Sequence, residues 1–358
     1  MRDLLSEYEA LASAGPVGRA VVTQVWGSAP RPEGASLLAN AAGGMAGSVS
    51  GGCVEGAAAE EIRAAIARGT ARKVGWGVTH ERAWEMGLSC GGTIEVLVEP
   101  QVRPEILAAA RRESGSVVAT VIGGAAPVGS GLVLEEGGQP VGLGDLPPAL
   151  LTPIAERAAA ALGGLSSRVE PVAWEGGEVE VFLEVFPRRP TLLIFGGVHI
   201  AMALVRLARP LGFRTVVADG REAFLTRERF PDADQLLLGW PEEVFRRVGL
   251  DAATCVCLLT HDPKFDEPAL ELALRSPACY IGAIGSKQTQ AHRRERLQSA
   301  GFSAAEIARL HGPIGLDLGG RNPAEIALAI LAEITAVRYG RGESARRPRP
   351  SPPPTPRP

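Results

Sequence analysis

Thr191-Leu192-Leu193-Ile194-Phe195-Gly196-Gly197-Val198-His199-Ile200-Ala201 carries the pattern from which the fold class follows. A short, continuous apolar run ending in glycines reads as a strand buried on both faces. His199 to Leu211 continues as a helix, and Arg214 to Ala218 follows as a second strand closed by Asp219. Strand, glycine turn, helix, strand and terminal acid form the setting of a dinucleotide-binding fingerprint. Gly196 makes the tight turn, Ala201 lets helix and strand pack closely, and amides at the helix start face a phosphate. Gly197 and His199 belong to the same candidate turn. One position departs from the pattern: Val198 stands where a second glycine would let the backbone approach a pyrophosphate. Ordinary NAD(P) binding is therefore not expected. A Rossmann-like fold that binds no NAD and one that binds another phosphate-bearing ligand both stay open. Asp219 is a candidate acceptor for a ribose and Arg221 for a phosphate, and both also suit a solvated turn.

Downstream, strand and helix alternate to about residue 340, the pattern of a doubly wound parallel sheet. Thr254 to Leu259 reads as a strand running into Thr260-His261-Asp262-Pro263-Lys264-Phe265-Asp266. Ligands bind at the carboxyl ends of strands in such sheets. His261, Asp262 and Lys264 are therefore candidates, while a capped helix start accounts for Asp266. Tyr280 to Lys287 repeats the logic, with Gly285, Ser286 and Lys287 placed to hold phosphate before a basic helix.

Upstream, Pro187 to Pro190 reads as a linker, so a first domain is expected over 1–187 and a second over 188–340. The segment 341–358 is a Pro/Arg/Ser-rich tail, expected to be disordered. The first domain reads as mixed α+β. Ala20 to Trp26 and Thr93 to Glu99 are strands, Gly27 to Gly34 a loop, Val54 to Ala67 a helix. Helices are also read over 4–14, 104–113 and about 152–162. Ser50-Gly51-Gly52-Cys53-Val54-Glu55 places a thiol just before a helix, where the dipole favours a thiolate. The glycines leave room for a ligand. Ser89-Cys90-Gly91-Gly92 offers a second thiol of the same kind. A thiolate pair at Cys53 and Cys90 suits a soft metal, a persulfide or disulfide cycling. Ser28, Arg31 and Glu33 in the loop are candidates for a polar ligand, against the alternative of a rigid turn set by Pro30 and Pro32. Cys255, Cys257 and Cys279 lie in apolar strands and read as buried small hydrophobes. No C-x-x-C occurs, and the five histidines show no metal-ligand spacing.

Composition bounds the rest. The 358 residues suit two domains, and 46% hydrophobic residues suffice for two cores. A net charge of −3 provides no global field for nucleic acid or an acidic membrane. There is no signal-peptide pattern and no apolar run long enough to span a bilayer, so a cytoplasmic protein with reduced cysteines is expected.

Gly27 to Gly34 together with Gly47 to Glu55 resembles the N-terminal domain of the XdhC/CoxI family. Ser89-Cys90-Gly91-Gly92, followed by Thr93 to Glu99, is similar to that family's second cysteine motif. Ile194 to Ala201, Leu259 to Lys264, Tyr280 to Lys287 and Pro313 to Thr335 resemble its Rossmann domain. The resemblance implies an accessory factor, a maturation chaperone rather than a turnover enzyme. Such a factor binds the molybdenum cofactor, as molybdopterin or its dinucleotide form. It assists exchange of an oxo ligand for sulfide supplied by a cysteine desulfurase. It then hands the cofactor to an apo molybdenum hydroxylase of the xanthine or CO dehydrogenase type. Cys53 and Cys90 would contact the cofactor or handle sulfur, with Gly51, Gly52 and Gly91 beside them, and a homodimer is a family-level expectation. An NAD(P)-dependent oxidoreductase and a stand-alone thiol sulfurtransferase remain the alternatives.

Overall fold

The computed structural model describes residues 1–28, 30–77, 92–342 and 344. Cys90, Gly91 and nearly all of the tail read over 341–358 lie outside them. The chain divides into two compact units, Met1–Arg188 and Arg189–Pro358.

Among the described residues, the first unit holds two antiparallel five-stranded sheets. One contains β1 (Val17–Trp26), β2 (Ser36–Asn40), β3 (Met45–Gly47), β4 (Arg72–Trp76) and β5 (Thr93–Glu99), in the order β3-β2-β1-β5-β4. The other contains β6 (Ser116–Gly124), β7 (Gly131–Glu135), β8 (Val141–Leu143), β9 (Arg168–Trp174) and β10 (Gly177–Phe186), in the order β8-β7-β6-β10-β9. Strand alternation sorts their side chains. Ala20, Val22, Ile94, Val96 and Val98 pack against Ala58, Ala59, Ile62 and Ala65 of the helix Glu55–Arg68. The helix Pro148–Ala161 covers the second sheet in the same way through Leu150, Ile154 and Ala158. The opposite faces meet each other at Val21, Leu97, Ile122 and Phe182. Arg19 shares that inter-sheet face and is fully buried. It is 2.5 Å from Glu184 and 3.5 Å from Glu99, whose other oxygen lies 2.9 Å from Arg103. Burying these charges is tolerable only because each is paired.

The second unit is one parallel six-stranded sheet. Its strands are β11 (Thr191–Phe195), β12 (Arg214–Asp219), β13 (Gln235–Leu238), β14 (Thr254–Leu258), β15 (Tyr280–Ala283) and β16 (Leu310–His311), in the order β13-β12-β11-β14-β15-β16. This is the doubly wound order with its switch point between β11 and β14. The helices His199–Ala208 and Pro323–Arg338 cover one face, while Pro241–Val248, Pro263–Arg275 and Lys287–Ser299 cover the other. The fold class is thus a mixed, largely antiparallel α+β unit followed by a Rossmann-like parallel-sheet unit.

Candidate functional site

In the N-terminal unit the Gly-Gly-Cys corner is organised by one carboxylate. Glu55 opens its helix and accepts hydrogen bonds from the Ser48 and Ser50 hydroxyls, both at 2.7 Å. It also accepts from the backbone N–H groups of Val49, Ser50 and Gly52 at 3.2, 2.9 and 2.8 Å. Burial pushes this carboxyl up, but the hydroxyl and amide donors outweigh it and hold the group down at about 2. Ser50 Oγ in turn accepts from the N–H of Cys53 and of Val54, both at 3.0 Å. The backbone either side of Cys53 is therefore fixed, and Cys53 itself is half-buried. The sequence places the helix dipole at the service of the sulfur. In the structure the positive end of the helix is answered first by Glu55, at its first residue.

Three parts of the expected site converge here. A side chain at Gly51 would lie 3.3 Å from Pro30, and one at Gly92 would meet the Ser28 carbonyl at 2.6 Å. Pro30 thus lies against Gly51, and Ser28 against Gly92. Gly52 has φ +118°, and a Cβ there would meet nothing within 4 Å among the described residues. Arg31, half-buried on the same loop, has a buried Nε with no hydrogen-bond partner among the described residues. Among the described residues, an orphaned donor at Arg31 and unfilled space at Gly52 fit a polar ligand on this part of the unit.

In the Rossmann-like unit the fingerprint turn is occupied by the protein itself. Gly197 N–H donates to Asp219 Oδ2 at 2.8 Å. Arg221 donates from its backbone N–H and Nε to Oδ1 at 3.0 and 2.9 Å, and from a terminal guanidinium nitrogen to Oδ2 at 2.9 Å. Burial raises the Asp219 carboxyl, and these donors more than reverse it, leaving the group below the usual carboxylate range. Both oxygens face internal donors rather than a ribose. Gly197 is pressed against the following loop, since a Cβ there would sit 2.4 Å from the Phe224 carbonyl. Arg229 clamps the same turn by donating to the Gly197 carbonyl at 2.7 Å. Gly196 packs on Thr260, and His199 is exposed at the start of its helix.

The open space lies instead beyond the next two strands. A cavity of about 400 Å³ is lined by His261, Asp266, Gly285, Ser286, His292 and Arg293, among others. It lies at the carboxyl ends of β14 and β15. Asp266 is 6% exposed, accepts a short hydrogen bond from the Thr260 hydroxyl and pairs with Arg293 at 3.3 Å. Burial pushes its carboxyl up, opposed in part by Thr260 and Arg293. The same burial lowers Arg293. Ser286 caps its helix by accepting from Thr289 N–H at 3.1 Å. The sequence assigns the helix cap to Asp266; in the structure Asp262 is the cap, accepting from Lys264 N–H at 3.1 Å, and Asp266 faces the cavity one turn on. The helix begins at Pro263, and a proline favours the first helical position, so the cap falls one residue before it. Lys264 and Lys287 are exposed and are not among the lining residues. His261, Gly285 and Ser286 are thus brought together. Asp266, His292 and Arg293 join them from positions that only helix packing reveals. Glu55 was visible inside the quoted motif, and its spacing from Gly52 is that of the return hydrogen bond of a capping box. No described group of three or more His, Cys, Asp or Glu residues could hold a metal ion.

The two units define an α/β protein with a glycine-flanked thiol corner and a Rossmann-type sheet. Residues 10–77 match the XdhC and CoxI family, and residues 192–334 match the XdhC Rossmann domain. The chain is 30% identical over 332 residues to a probable xanthine dehydrogenase subunit from Bacillus subtilis, covering 89% of this chain and 92% of that protein. It is 26% identical over 341 residues to the molybdenum cofactor insertion chaperone PaoD of Escherichia coli, covering 94% and 88%. A crystal structure described as a xanthine dehydrogenase from Bacillus halodurans superposes with a TM-score of 0.74 at 24% identity, over 96% of this chain and 97% of that one. The chain belongs to the XdhC and CoxI family.

Proposed function

We propose that this chain is an accessory factor that binds a molybdenum cofactor as cargo and delivers it to a xanthine or CO dehydrogenase-type molybdenum hydroxylase. The observation that carries the reading is the Gly51-Gly52-Cys53 corner, hydrogen-bonded to Glu55 and, among the described residues, unfilled at Gly52, in a chain similar to a molybdenum cofactor insertion chaperone. A thiolate is a fitting neighbour for a soft metal centre. In this reading Cys53, with Cys90, contacts the molybdenum end of the cargo, and Arg31 Nε and Ser28 serve its polar atoms. The cavity at His261, Gly285 and Ser286 is the candidate for a phosphate-bearing group. Sulfur for the cargo would come from a cysteine desulfurase, and the working form would be a cytoplasmic homodimer.

The test is a cofactor-binding titration of wild type against Cys53→Ala. A loss of about tenfold or more in affinity is expected, corresponding to roughly 1.4 kcal/mol. Transfer of no pterin from a cofactor-loaded source to the wild-type chain would refute the reading. A pyridine-nucleotide oxidoreductase is disfavoured by the internal pairing of Asp219 and the Phe224 carbonyl over Gly197. NADH binding that is lost on Asp219→Ala would revive it. A stand-alone sulfurtransferase would instead carry a persulfide on Cys53 or Cys90 after desulfurase treatment, readable by mass spectrometry.

A further inference from the structure

Two thiols outside the site described above lie in direct contact. The sulfur atoms of Cys255 and Cys279 are 3.4 Å apart, one on β14 and the other at the entrance to its parallel neighbour β15. Cys255 is the second residue of β14, and Cys279 immediately precedes β15. Cys279 N–H donates to the Thr254 carbonyl at 2.9 Å, so a sheet hydrogen bond already holds the two backbones at strand spacing. That spacing is within the reach of a disulfide. The two sulfurs differ in access: Cys255 is buried and Cys279 only half-buried. Cys257 shares the face of Cys255 but is fully buried in the core. The sequence marks all three as inert core residues; packing singles out one pair.

We propose that Cys255 and Cys279 form a dithiol oxidation site, in which a small disulfide of the glutathione type converts the pair to an intramolecular disulfide. Cys279 attacks first, as its thiolate, on one sulfur of the small disulfide. The S–S bond of that molecule breaks, and one small thiolate leaves and takes up a proton. The Cys255 thiol then loses its proton and attacks the Cys279 sulfur, and the second small thiol departs. Two protein thiols are oxidised by two electrons, and one small disulfide is reduced to two thiols.

The electrostatics agree with this division of labour. The hydrogen bond from Cys255, with the charge of Arg338, holds the Cys279 thiol below its ordinary value. The same hydrogen bond, together with burial, pushes Cys255 up. The more accessible sulfur is therefore also the better nucleophile, and the buried one resolves. The bridge would join β14 to β15 near the ends where these strands begin. Their far ends carry His261 and Gly285, which line the cavity. Oxidation thus ties together the two strands that position that cavity.

The test uses the full-length chain incubated with oxidised glutathione, then denatured, alkylated, digested and mapped by mass spectrometry. The expected product is a linked peptide pair containing Cys255 and Cys279, with both thiols restored by dithiothreitol. Cys255→Ser should trap glutathione on Cys279, and Cys279→Ser should leave Cys255 reduced. Three results would overturn the proposal: full alkylation of both residues under conditions where Cys53 reacts, glutathione persisting on Cys279 of the wild type with no bridge, or a bridge from Cys279 to Cys257. The wild-type map alone decides the matter should either variant fail to fold.

Discussion

Glu55→Gln removes one negative charge from the Gly-Gly-Cys corner while keeping the side chain's shape. In the wild type the carboxylate accepts five hydrogen bonds at 2.7–3.2 Å, two from hydroxyls and three from backbone N–H groups. The amide offers one acceptor oxygen, and its NH2 group would face N–H donors. Hydrogen bonds to charged groups contribute about 1.5–3 kcal/mol each, and a buried donor left unsatisfied costs about 1–3 kcal/mol. A second route gives a similar figure. The carboxyl moves from its ordinary 4.5 to about 2 in a residue that is 8% exposed. At about 1.4 kcal/mol per unit, that is roughly 3 kcal/mol of folding stability. The folded-state value is depressed, so this contribution is full above the unfolded value of 4.5 and disappears as pH falls towards 2. Glu55→Gln should therefore lose about 2–3 kcal/mol at neutral pH, with the deficit shrinking below about pH 4.5. Urea unfolding at several pH values measures the difference, and hydrogen exchange in peptides spanning 48–68 assigns it to the N-terminal unit. A penalty under about 0.5 kcal/mol at neutral pH, or one that stays constant down to about pH 3, would refute the role given to this carboxylate.

Gly197→Ala drives a methyl group to 2.4 Å from the Phe224 carbonyl, so the loop must move or the turn must distort. A loss of about 1–3 kcal/mol is expected, read from the thermal midpoint, and an unchanged midpoint would show that the loop yields freely. Arg19→Met leaves Glu184 in the inter-sheet face without its partner at 2.5 Å, and should cost about 3–5 kcal/mol by urea unfolding. Adding Glu184→Gln to that variant should recover part of the loss, whereas strictly additive penalties would deny the coupling.

Local chemistry was legible wherever a segment carried its own signal. The stretch 191–201 reads as strand, glycine turn and helix because each step is enforced by neighbouring residues, and the structure has β11 and the helix His199–Ala208 there. The alternation in Thr93–Glu99 is likewise local. Edge strands were not legible: Met45–Gly47, Val141–Leu143 and Arg168–Trp174 lie at or near sheet margins, with few buried residues to set a pattern. The helix read from about 152 begins at Pro148, because Pro153 lies inside it and disguises its first turn. Of the candidate site, Cys53 with its glycines and His261 with Gly285 and Ser286 stood out by residue type and by position at element ends.

By itself the sequence determined two units of different class, a parallel sheet after residue 188 and a thiol placed at a helix entrance. These follow from hydrophobic period, glycine placement and turn chemistry, which act over a few residues. Long-range packing is what gives Asp219 to Gly197 and Arg221, puts Asp266 and Arg293 in one cavity with His261, and brings Cys255 against Cys279. Each of these joins groups through packing or strand pairing, where distance in space is set by burial of the whole sheet and its helices. No local pattern of residues encodes which polar group will meet which across such a core.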